Sequence, residues 1–196
     1  MPRRNLGTPN VVQYFDPANG IDAPVPVSDN DPQRPTYRIT ILGAAPAANP
    51  TDLLVLQGAA GVTTRIREII LSGTATSATN VTPTIVRRSS ANTGGTSTAQ
   101  TVAKRDTADA AAASSCQLYT ANPTGLGALV NIVDGGRLNL APAANGSIDR
   151  IFWQYSWMNE KGPTLRGASD FFALNFGGAA WPAGGLLDIT ISLTEE

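Results

Sequence analysis

Residues 63–73 read TTRIREIILSG, and their spacing decides the fold class. Ile66, Glu68 and Ile70 alternate against Arg65, Arg67 and Ile69, a period of two that puts successive side chains on opposite faces of an extended chain. Isoleucine is stiff in a helix but packs well on a pleated surface. Gly73 closes the run. The same signature recurs in both directions. Upstream lie TYRITIL (36–42), with Tyr37, Ile39 and Ile41 on one face, and DLLVLQG (52–58). Downstream come TPTIVRR (82–88), CQLYT (116–120), ALVNIV (128–133), GRLNL (136–140), SIDRIFWQYSW (147–157), FFALNF (171–176) and LLDITISL (186–193). Some ten strands at this spacing, roughly, predict an all-β fold over residues 36–196, an antiparallel β-sandwich or jelly roll.

The punctuation agrees. Gly94-Gly95, Gly135-Gly136, Asn145-Gly146, Gly177-Gly178 and Gly184-Gly185 fall between the strands, where turns want positive φ. One stretch suits a helix, DTADAAAASS (106–115), with Asp106 as a cap and alanine in its body. It is under three turns, so it reads as a short helix or an ordered loop. No repeat of solenoid or propeller length is present.

Residues 1–35 differ. They hold Pro2, Pro9, Pro17, Pro24, Pro26, Pro32 and Pro35, a spacing that excludes a helix and predicts repeated breaks in ladder pairing. The expectation is an extended, proline-rich N-terminal arm, polyproline-like with turns. Its apolar islands, chiefly Val11, Val12, Tyr14 and Phe15, are too few for a private core. They are candidate partner-binding residues. Fully extended, such an arm reaches on the order of 100 Å.

The whole chain has 196 residues, no histidine, one cysteine and a formal net charge of -1. Without histidine there is no Ser-His-Asp or Cys-His catalysis and no imidazole metal site. Cys116 cannot form an internal disulfide and reads as a small buried hydrophobe in a strand. The charge balance gives no field for nucleic acid, and no apolar run has membrane-spanning length. No apolar segment follows Arg3 and Arg4, so no secretory signal is read and synthesis in a cytoplasm is expected. Charged residues are only 15% of the chain, and Lys104 and Lys161 are its only lysines. Two explanations stay open: surface buried against neighbours, where lysine and glutamate are depleted, or drift in a GC-rich genome.

Candidate chemistry is sparse. Asp52, Glu68, Asp149, Asp170 and Asp188 sit at predicted strands, and a pair of them at the right separation could cleave glycosides. Strand-end turns and solvent-facing positions explain each more simply. Ser28-Asp29-Asn30-Asp31 clusters oxygens as calcium sites do, but Arg34 stands where the loop needs glycine. Arg87-Arg88 reads as a solvated strand edge, with a phosphate contact as the functional option. Trp153, Tyr155 and Trp157 share one face of their strand, and Phe152 takes the other. That row is a candidate interface, or a platform for glycan or nucleic-acid stacking. The expected protein is not an enzyme and takes no cofactor or metal.

Four stretches carry a family resemblance: TRIREIILSGTATSA (64–78), VRRSSANTGGTSTAQT (86–101), YTANPTGLGALV (119–130) and LDITISLTEE (187–196). They resemble small β-rich structural proteins of tailed bacteriophages, over roughly residues 63–196. The resemblance implies a virion component on the capsid surface. The leading expectation is a capsid decoration, or cement, protein that binds across the lattice of the major capsid protein and associates with itself as a trimer or else a dimer. The alternative is a head-fibre, tail or receptor-binding module that grips host glycans through its aromatic surface. The family supplies no catalytic residues, and the arm before residue 36 departs from its shorter members.

Overall fold

Alternation at Tyr37, Ile39 and Ile41 sinks one face of the strand Thr36–Ala44 into a core shared with Ile66, Ile69 and Leu71. A computed structural model describes residues 34–146, 148–155 and 161–196 in full, and the backbone of 11–16 and 21–26. The chain divides into two compact units, Met1–Arg34 and Pro35–Glu196.

In the first unit, β1 (Val11–Asp16) pairs antiparallel with β2 (Ile21–Pro26). A short ladder thus forms in a segment whose prolines were expected to break pairing repeatedly. Pro24 and Pro26 stand opposite Gln13 and Val11, two residues apart on one strand. Their nitrogens therefore face the same edge, and a two-stranded ribbon tolerates the missing donors where that edge is open.

The second unit contains β3 (Thr36–Ala44), β4 (Asp52–Gln57), β5 (Thr63–Thr74), β6 (Thr79–Val81), β7 (Thr84–Arg88), β8 (Thr96–Gln100) and β9 (Ala103–Lys104). There follow β10 (Ser115–Ala121), β11 (Leu129–Gly135), β12 (Leu138–Leu140), a 3-10 turn at Ala143–Asn145, β13 (Arg150–Gln154), β14 (Thr164–Arg166), β15 (Phe171–Asn175) and β16 (Leu186–Glu195). One sheet runs β11-β7-β15-β4-β10-β8, and the other runs β13-β5-β16-β3-β9 with β14 also on β5. A small β12-β6 ribbon forms a two-stranded sheet of its own, with Leu138 and Leu140 buried in the common core.

Eight strands make the frame: β3, β4, β5, β7, β11, β13, β15 and β16. The first pairs with the last, the second with the seventh, the third with the sixth and the fourth with the fifth, all antiparallel. A hairpin folded in that way and wrapped into two sheets is a jelly roll. Leu54, Leu56, Ile85, Phe172 and Leu174 of one sheet meet Ile39, Ile66, Ile69, Ile189 and Ile191 of the other in a single core.

Two local departures matter. In β5 the alternation slips by one residue, because Ser192 stands opposite Glu68 while Leu193 stands opposite Ile66. Arg67 is the extra residue of a β-bulge. Ile66 and Ile69 both point inward as a result, and strict alternation across the whole strand fails. Residues 106–114 form an ordered loop rather than a helix. Asp106 Oδ1 accepts from Ala108 N, Tyr37 Oη donates to Ala110 O, and the Glu195 carboxylate accepts from Ala113 N, Ser114 N and Ser114 Oγ. Backbone groups that a helix would use internally are taken by distant partners.

Candidate functional site

Two surface features stand out on the second unit. The first is the edge strand β11. Among the described residues it pairs with β7 alone, and two register shifts, at Val130 and Val133, mark bulges that re-aim its side chains. Leu129, Val130 and Ile132 are 57%, 60% and 62% exposed, and Leu126 lies just before them at 44%. Residues 126–133 carry no charge. This is an uncharged apolar stripe along an open sheet edge.

The second feature is a cleft of about 480 Å³ at the margin between the sheets, on the side where β11 ends one sheet and β13 and β14 end the other. Arg87, Asn131 and Val133 line it from one sheet, Thr164 and Arg166 from β14, and Tyr155 and Lys161 from the flanking chain. Arg87 is in register with Phe172, which is in register with Leu56, both fully buried in the core. Its side chain therefore issues from the inward face of its sheet, where a packed sandwich would place an apolar group. Arg87 Nη2 meets Asp170 Oδ2 at 3.2 Å, and the same oxygen accepts from Arg166 N at 2.8 Å. Tyr155 Oη donates to Asp134 Oδ2 at 3.4 Å. Burial first, and the Asp134 carboxylate second, push the Tyr155 phenol well above its ordinary range.

The aromatic row separates by role. Trp153 is buried in the core, Tyr155 is half-buried in the cleft wall, and Phe152 turns to the opposite, exposed face. Trp157 lies outside the described residues, as does Ser28-Asp29-Asn30-Asp31. Val11, Val12, Tyr14 and Phe15 belong to β1, and their side chains lie outside the description.

The carboxylates considered for catalysis each hold a structural partner. Glu68 pairs with Arg38 and accepts from Ser192 Oγ; Asp188 accepts from Gly43 N; Asp170 holds Arg87. Asp149 accepts from Asn139 N, Arg150 N and Asn139 Nδ2, bonds that hold its carboxyl below the usual range, the first most strongly. Asp52 is fully buried and binds Arg88, itself 6% exposed, through Nε at 2.6 Å and Nη2 at 2.8 Å. The reading of Arg88 as a solvated edge residue is thus overturned: a buried carboxylate drew it in. Cys116 is buried in β10. Among the described residues, no group of three or more acidic or thiol side chains is placed to hold a metal ion.

Sequence reasoning missed Asn131, Lys161, Thr164 and Arg166, which are joined only by the fold. The stripe had a signal, because ALVNIV is apolar at both strand parities, more than a one-sided strand needs. The protein is an all-β antiparallel sandwich in jelly-roll order, with an apolar edge and a basic inter-sheet cleft. Compared with known proteins, the chain matches no family model, no curated protein and no solved structure.

Proposed function

We propose that this chain is a structural protein of a phage virion, a capsid decoration protein that binds across the major capsid protein lattice and associates with itself. It acts by adhesion and carries out no covalent chemistry. The observation that supports this most is the exposed stripe Leu126, Leu129, Val130 and Ile132 on the open edge of β11. Proteins that live as monomers charge, shorten or cover such edges. A contiguous apolar surface at a sheet edge marks an interaction site.

The partner proposed for this edge is a second copy of the chain. Two uncharged 126–133 segments meet no like charges when brought together antiparallel, and pairing extends the sheet across a two-fold axis. Such a contact favours a dimer over a trimer. Attachment to the capsid is assigned to the proline-rich first unit. The jelly-roll frame, which recurs in capsid and lectin domains, adds support by analogy only.

The test has two parts. Light scattering should give a dimer mass for the native chain and a monomer mass for Ile132→Lys. Quantitation of purified particles should find the chain in many copies, as a lattice-wide protein requires. A monomer at all concentrations, absent from particles, would sink the proposal; a few copies per particle would turn it toward a tail or head-fibre role.

A further inference from the structure

The cleft between the sheets is not explained by adhesion through β11. We infer that it binds an anionic saccharide, with its carboxylate or ester anion held by Arg87, Lys161 and Arg166. Three basic residues line the space, Arg87 from the inward face of its sheet and Lys161 and Arg166 from exposed positions at the rim, and no acidic residue lines it among the described residues. Asp170 takes one nitrogen of Arg87, and neither Lys161 nor Arg166 has a described acidic partner. Like charges gathered around one concavity repel each other unless an anion joins them, and a cleft with low-dielectric walls focuses that attraction. A guanidinium fork matches a carboxylate or phosphate geometrically.

The remaining lining gives the ligand its class. Tyr155 offers a ring, Asn131 an amide, and Thr164 a hydroxyl that donates to Gly162 O at 2.9 Å and keeps its lone pairs for accepting. An aromatic surface with a few converging hydrogen-bonding groups is how proteins hold small polar ligands. A volume of about 480 Å³ lies within the usual range for such sites. The overall charge of -1 gives no extended basic track for a nucleic-acid backbone, so a compact ligand fits better.

The test is calorimetric titration of the full chain with a hexuronic-acid disaccharide, its neutral hexose counterpart and inorganic phosphate. The expected result is binding of the uronate, weakened by added salt, with the neutral sugar at least about tenfold weaker. Lys161→Ala combined with Arg166→Ala should lose about tenfold or more in uronate affinity while melting as the native chain does, since both side chains are exposed. Arg87→Lys keeps the charge and loses the fork, so it should weaken the uronate while leaving the salt dependence of its binding in place. Equal affinity for the neutral sugar, phosphate binding as tight as the uronate, an unchanged double variant, or no uronate binding at millimolar concentration would each overturn the inference. None of these outcomes touches the dimer measurement on Ile132.

Discussion

At the scale of single residues, the sharpest commitment is the buried pair of Asp52 and Arg88. Asp52 accepts from Arg88 Nε and Nη2, from Asn92 Nδ2 at 2.9 Å and from Asn175 Nδ2 at 2.6 Å. A carboxylate has about four acceptor sites, so none is left for a ligand. Arg88 Nη1 goes on to Gly127 O, and Gly127 N donates to Asn92 Oδ1, tying two loops to the strand. Asp52→Ala strands a guanidinium in the interior and should cost about 3–5 kcal/mol in denaturant unfolding. Adding Arg88→Met to it should recover a large part of that loss, because no buried charge is then left alone. A second residue tests the core through pH. Burial pushes the Cys116 thiol up to about 12 from an ordinary value of 9.0. Between those values the unfolded chain has released the proton and the folded chain has not. Stability from this group is therefore complete below the lower value and falls as pH rises, by about 1.4 kcal/mol per unit. Cys116→Ala should flatten the alkaline side of the stability profile. In the native protein the thiol should resist alkylation at pH 8 and react once unfolded.

At the scale of elements, the longer strands rich in apolar residues were legible, and the short or polar ones were not. β3, β4, β5, β7, β10, β11, β15 and β16 were all anticipated from period-two patterning, with ends off by a few residues. β8 reads TSTAQ and is almost wholly exposed, so no apolar alternation announces it; backbone pairing with β10 makes it a strand. β6, β9 and β14 are too short to show a period. The bulge at Arg67 was hidden for a different reason: it is created by the partner strand's register. The loop 106–114 shows distant partners overriding local preference. Alanine favours a helix there, yet Glu195 of β16, itself buried, collects the amides of Ala113 and Ser114. Glu195→Ala should leave those donors without a protein acceptor, cost about 1–3 kcal/mol and speed amide exchange at Ala113 and Ser114 while β5 and β16 stay protected. The cleft was illegible for the same reason as the bulge. Its cations come from Arg87 and from Lys161 and Arg166, far apart in sequence and united by the pairing of β14 with β5.

At the scale of the whole molecule, the question is what the first unit contributes. Among the described residues the main core runs from Tyr37 to Leu193, all within the second unit, which is compact by itself. Pro35 must stay, since its carbonyl accepts from Glu195 N. A chain beginning at Pro35 should unfold in one transition within about 3 °C of the native midpoint, the shift expected for less than 1 kcal/mol in a domain of this size. The hairpin also revises the reach of the arm. Six-residue strands folded back on each other extend about 20 Å, and the chain from Pro26 to Pro35 spans at most about 30 Å. The hairpin therefore shortens the arm relative to a fully extended segment of the same length. On the proposed decoration role the first unit supplies a second contact that acts through effective concentration, so losing it should weaken attachment to the particle by about a hundredfold or more. The measurement is co-sedimentation of native and truncated chains with stripped particles across a concentration series. If the truncated chain, still folded, sediments as tightly as the native one, attachment belongs to the jelly roll and the hairpin must be given another task.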